Sequence, residues 1–110
     1  NGHFTLGENI ADHGGLRIAY TALHNTFDGV EPAPIDGFTA DQRFYLAYAA
    51  LWAGNIRDAE ILRLTKIDPH SLGRWRVNAA LRNMETFFKA FDIKEGDAMY
   101  MAPEDRVIIW

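Results

Sequence analysis

The sequence has no cysteine. That excludes disulfides and thiolate metal sites, so any metal bound here must use His, Asp or Glu, and the redox compartment stays open. It has no basic stripe: eleven Lys and Arg are scattered through 110 residues against fifteen Asp and Glu, giving a net charge of −4. Nucleic acid is therefore a poor partner. No apolar run approaches the roughly 20 residues that cross a bilayer. Asn1 to Glu8 carries neither the basic start nor the apolar stretch of a signal peptide, and an opening of Asn1-Gly2-His3-Phe4 without Met suggests a cut or partial chain. There are no internal repeats and no low-complexity segments.

What the chain does have is apolar bulk. Hydrophobic residues make up 48% of it, including three Trp, seven Phe and four Tyr. That is enough to build a core and more than so short a chain is expected to cover alone, since small domains bury a smaller share of their surface. The imbalance suits a piece of a larger body.

The pattern is mainly α. Leu16, Tyr20, Leu23 and Phe27 form one apolar stripe at helical spacing, predicting a helix from about Thr5 or Leu6 to about Asn25. Ala11, Gly15 and Ala19 form a second stripe of small side chains, where another helix could approach closely. Gly14 and Gly15 cost about 1 kcal/mol each in a helix interior, and such close packing would compensate. Asp28 to Gly37 is a loop by its Pro and Gly content. Thr39 and Gln42 form a capping box opening a second helix, apolar nearly all round, that Gly54 should stop. A helix of that kind is normally buried inside a larger protein. Arg57 to about Lys66 reads as a third helix. His70 to Asn83 stays ambiguous between loop, strand and helical turn. Asn83 with Glu85, Phe87, Phe88 and Phe91 reads as a fourth helix. Pro103-Glu104-Asp105 suits one turn, and Val107 to Trp110 is extended by preference.

Two groups of residues could carry chemistry. Glu8 and Asp12 are four residues apart, so on a helix both carboxylates face one way and repel unless a cation or protonated group sits between them. Taken alone they read more often as acids of a helix first turn, favoured by the macrodipole. Their place beside the small-residue stripe shifts that weighting. In Asp68-Pro69-His70-Ser71 an acid two positions before a His can fix its tautomer and favour its charged form. With Arg76 six residues on, the pair could serve an oxyanion and a substrate carbonyl. The plainer alternative is a turn in which Asp68 caps a helix and Arg76 makes a surface ion pair. His3, His13 and His24 read as exposed or hydrogen-bonded, since no two His share the i, i+4 spacing of a helical zinc site. Trp52 reads first as core.

The run Phe4-Thr-Leu-Gly-Glu-Asn-Ile-Ala-Asp12-His-Gly-Gly-Leu16, followed by Ala19-Tyr20, resembles the neprilysin family of zinc endopeptidases. So do Tyr48-Ala-Ala-Leu-Trp52, Asp68-Pro-His70-Ser71 with Arg76-Val77, and the later Asn83, Phe87, Ala90-Phe91, Met99, Ala102-Pro103 and Trp110, in order over essentially the whole chain. The resemblance implies the helical carboxy-terminal portion of a zincin-like catalytic domain, spanning 1–110, with the H-E-x-x-H segment lying upstream. It implies Glu8 as the third zinc ligand and Asp12 as the acceptor orienting a zinc-bound His. His70, held by Asp68, would stabilise the tetrahedral intermediate. Arg76 would bind a substrate backbone carbonyl, and Leu51 and Trp52 would help line the pocket for the side chain after the scissile bond.

Without H-E-x-x-H the chain alone is expected to be inactive and to hold zinc weakly. Its expected partners are peptide substrates, the rest of its own catalytic domain and, through exposed apolar surface, a second copy. Ala53, Ile93 and residues around Arg106 stand where animal members have Cys, which favours a bacterial relative working outside the cytoplasm, in the periplasm or envelope. Leu72 replaces the usual Pro after His-Ser. Two other readings stay open: a peptide-binding pseudoenzyme of the same fold, and a free-standing helical interaction or oligomerisation module.

Overall fold

A computed structural model describes residues 1–109; Trp110 and its part in the resemblance lie outside them. Five helices follow in order: α1 (Gly2–Asn25), α2 (Ala40–Leu51), α3 (Asp58–Ile67), α4 (Gly73–Leu81) and α5 (Glu85–Phe91), with a 3-10 turn at Pro103–Asp105. The described residues form no strand, only an isolated bridge between Ile35 and Phe38. There the backbones of Ile35 and Phe38 exchange hydrogen bonds of 3.0 and 2.9 Å across Asp36-Gly37. Both central residues take positive φ, 52° and 81°, as this reversal requires. The mainly α reading holds.

The boundaries differ in instructive places. α1 starts at Gly2 rather than Thr5, because the Asn1 side chain accepts from the His3 N–H and caps it earlier. α2 stops at Leu51, before Gly54: Trp52 leaves helical geometry and its N–H goes to the Ala49 carbonyl. The capping box is present in full, Thr39 accepting from Gln42 N–H and Gln42 accepting from Thr39 N–H. The Gln42 amide also donates to the Ala90 carbonyl at 2.9 Å, tying the start of α2 to α5. The ambiguous stretch after His70 is resolved as α4, which buries Val77, Ala80 and Leu81. Alternation of Arg and apolar residues had obscured that spacing.

Leu16 of α1, Tyr45 of α2, Val77, Ala80 and Leu81 of α4, Met84, and Phe87 and Phe88 of α5 form the core. Tyr45 is 1% exposed and its ring meets Phe87 edge-on at 5.4 Å. Each fully buried side chain of this size contributes about 1.5–3 kcal/mol. α1 packs on α4 and α2 on α5, and the contacts of Arg76 with Asp12 and with Trp52 bring the first half of α1, the end of α2 and the start of α4 together.

Two apolar surfaces stay open on this chain. α2 exposes Leu46 and Leu51, Leu51 at 76%, as suits a helix whose burial was expected inside a larger body. Along the small-residue stripe a Cβ at Gly15 would meet nothing within 4 Å, and Ala11, Gly15 and Ala19 face Ala47, Tyr48 and Leu51 across an open apolar groove of about 440 Å³.

Candidate functional site

Glu8 and Asp12 sit one turn apart on α1, as their spacing predicts. The segment linking α3 and α4 passes beside them. Asp68 closes α3, and its Oδ1 accepts from both the His70 backbone N–H at 2.9 Å and the ring Nδ1 at 2.6 Å. Those bonds, the backbone one foremost, hold the Asp68 carboxyl below the usual carboxylate range. Pro69 between them leaves little choice of path, so the imidazole is aimed by its own neighbour. The other ring nitrogen, Nε2, points to Glu8 Oε2 at 3.2 Å. A ring protonated on both nitrogens can donate to both carboxylates, whereas a singly protonated ring can serve one. Glu8, His70 and Asp68 thus lie in line, two elements apart in sequence and adjacent in space.

Arg76 comes from the first turn of α4. Its Nε donates to Asp12 Oδ2 at 2.6 Å and its Nη2 to Oδ1 at 2.7 Å, a two-point pair. Only 15% of the Arg76 side chain and 14% of the Asp12 side chain are exposed. Asp12 keeps the guanidinium charged, raising its already high pKa. The guanidinium carbon also lies 3.8 Å from the centre of the Trp52 ring, a cation–π contact. Tyr48 donates its hydroxyl to the Arg76 carbonyl at 3.2 Å, and burial, then the nearby Asp12 charge, raises its pKa.

The seven residues singled out in the sequence do not all gather in one way. Glu8, Asp68 and His70 form one chain of contacts, and Asp12, Arg76 and Trp52 form another beside it. Leu51 lines the apolar groove with Asp12 and Tyr48. Trp52 does not; its face is covered by Arg76, and its Nε1–H is buried without a partner. Sequence reasoning missed Tyr48, whose hydroxyl reaches a backbone carbonyl 28 residues away, and Gly73, whose role is a close approach no local pattern encodes. It also set His13 aside as exposed or hydrogen-bonded. His13 is 5% exposed, its Nε2 has no partner, and burial followed by the Arg17 charge lowers its pKa. Its Nε2 and the equally unpartnered Asn9 Oδ1, one turn apart on α1, border a small hollow against α4.

No three His, Asp or Glu side chains among the described residues come together as a metal site. Glu8 offers one carboxylate, whereas a zinc site needs about three protein ligands. The residues of this chain alone therefore do not fit a zinc ion.

An all-α frame that sets an acid pair of one helix against a His from the α3–α4 link and an Arg from the start of α4 has counterparts among known proteins. Peptidase family M13 matches residues 1–107, and the chain belongs to that family. It is 38% identical to human neprilysin over its full length and 40% identical to mouse endothelin-converting enzyme 1. The solved structure of the zinc metalloprotease Zmp1 of Mycobacterium tuberculosis in complex with inhibitor superposes with a TM-score of 0.96 at 43% identity over 99% of the chain. The chain spans only 15% of neprilysin, 14% of the converting enzyme and 17% of the Zmp1 chain. The resemblance read from the sequence thus holds as family membership, and the helical fold is that of the matching part of Zmp1.

Proposed function

We propose that this chain is the carboxy-terminal part of the catalytic domain of a zinc-dependent endopeptidase that hydrolyses internal bonds of oligopeptides. The observation that carries the reading is the convergence of Glu8 with His70, and of Asp12 with Arg76, from segments about 60 residues apart. In the whole protein Glu8 would leave His70 to supply one carboxylate ligand, the other ligands coming from outside this chain. Zinc, held there, would act as Lewis acid and source of an activated water.

The other roles belong to side chains described above. His70, oriented by Asp68, would donate to the developing oxyanion. Arg76, with three N–H groups not engaged by Asp12, suits a peptide carbonyl. Asp12 has two lone-pair sites beyond those facing Arg76 and can also accept from a metal-bound His. Leu51 and the groove beside it would receive an apolar substrate side chain. The chain by itself is inactive in this reading. In this reading the protein works outside the cytoplasm, as the family resemblance implies.

The test is cleavage of an internally quenched peptide by the full-length protein, with and without a chelator, beside its Glu8→Gln variant. Cleavage that stops on chelation, returns with zinc and falls at least about 100-fold in the variant supports the proposal. Peptide binding without cleavage would replace it with a non-catalytic peptide receptor.

A further inference from the structure

Asp12 uses two of the five N–H groups of Arg76, and Trp52 covers one face of its guanidinium. What remains can meet a carbonyl only from a narrow range of directions, so the placement of α4 against the end of α2 sets where that carbonyl must lie. Two residues without an assigned part fix that placement. Gly73 is the first residue of α4, one turn before Arg76. A Cβ there would stand 2.8 Å from the Trp52 carbonyl oxygen and 3.2 Å from the Trp52 Cβ. The nearest obstacle is backbone, which cannot swing aside as a side chain end can, so only glycine lets α4 seat this closely. Tyr48 lies one turn before Trp52 on α2, and its hydroxyl donates to the carbonyl of Arg76 itself.

We propose that Gly73 and Tyr48 are positioning residues for substrate-backbone recognition. Gly73 sets how near the start of α4 lies to Trp52, Tyr48 pins the Arg76 backbone, and Asp12 fixes the rotation of the guanidinium. The ligand is an extended peptide presenting a backbone carbonyl, independent of its side chains. Gly73 does not touch it; the Tyr48 ring borders the groove, and its positioning part falls to the hydroxyl, which is turned to the Arg76 carbonyl and is all that Tyr48→Phe removes. The inference rests on the peptidase reading of Arg76 given above.

A carbonyl held equally in the ground and transition states is read in KM and not in kcat. Misplacing a contact by about 1 Å can cost up to about 100-fold. In the full-length protein Gly73→Ala is expected to raise KM about tenfold, with kcat within about a factor of two. Tyr48→Phe, which removes one neutral hydrogen bond, is expected to raise KM about threefold. The affinity of the chelator-treated protein for the same peptide should fall by matching factors, which a merely structural role would not produce. Circular dichroism reports whether Gly73→Ala folds; if it does not, Tyr48→Phe decides. Unchanged KM and peptide affinity in the folded variants overturn the inference, as does a lower kcat at constant KM. If the wild-type protein does not cleave, the peptidase reading fails, and the peptide affinities still decide the positioning roles.

Discussion

Arg76 and Asp12 are 64 residues apart in sequence and joined by two charge-assisted hydrogen bonds of 2.6 and 2.7 Å, each side chain about six-sevenths buried. Such bonds are strong because the planar guanidinium matches both carboxylate oxygens. Removing one partner leaves the other charge largely desolvated and unpaired. Asp12→Asn is therefore expected to destabilise the chain by about 2 kcal/mol. Arg76→Met, which also discards the stack on Trp52, should cost at least as much. The double variant should cost less than the two together, by about 1–2 kcal/mol. Urea midpoints of the four proteins measure this, and strict additivity would mean the pair contributes little.

His13 is placed to oppose acid. Its pKa lies below the ordinary 6.5, first because burial disfavours the imidazolium and then because of Arg17. The unfolded chain then binds the proton at higher pH than the folded one. The stability His13 contributes is complete above about pH 6.5 and is lost as pH falls through that value toward the lowered folded pKa. Thermal melts from pH 7.5 to 5 should show a decline that His13→Gln largely removes. A parallel decline in the variant would place the acid sensitivity elsewhere.

How much of this was legible in the sequence depends on range. The capping box of Thr39 and Gln42, the like-sided Glu8 and Asp12, and the hold of Asp68 on His70 all lie within four residues, and each reads directly from spacing. The stretch of α4 did not, because Gly73 and two arginines dilute its apolar period and its three buried residues acquire a core only when α1 and α5 are in place. Arg76 was singled out, but its pairing with Asp12 could not be seen, being set by the packing of α1 on α4. Gly73 carried no signal at all: its neighbour Trp52 is 21 positions away, and a single glycine gives no hint of a close approach. His13 illustrates the converse, a polar residue on α1 whose burial follows from where α4 happens to lie.

Gln42 has a double task that makes its loss worse than that of its capping partner. Thr39→Ala removes one cap bond and should cost about 1 kcal/mol. Gln42→Ala removes the reciprocal cap bond and also the 2.9 Å bond to the Ala90 carbonyl. That carbonyl is half-buried, and losing its partner adds about 1 kcal/mol or more. Gln42→Glu separates the two parts, since a carboxylate can still accept from Thr39 N–H but cannot donate to Ala90. It should fall between wild type and Gln42→Ala in a denaturant titration. Equal losses for Thr39→Ala and Gln42→Ala would show that the link to α5 is energetically silent.

Asp68 and His70 offer the sharpest separation of structure from chemistry. Asp68 is exposed enough that its bonds add little to overall stability, yet its 2.6 Å contact favours the proton on Nδ1 over Nε2, which faces Glu8 at 3.2 Å. The lowered carboxyl pKa sets the sign: the contact is complete above the ordinary value of 3.8 and is lost only as pH falls through the lower folded value. Between pH 4 and 8 the bond to Nδ1 should therefore persist, and nitrogen NMR of His70 should report a single preferred tautomer wherever the ring is neutral. Asp68→Asn should scramble that preference while leaving the melting temperature almost unchanged. In the full-length protein the same variant should lower kcat by about 10- to 100-fold, because an imidazole free to rotate no longer meets the developing charge. An unaltered kcat with a scrambled tautomer would remove His70 from the oxyanion role.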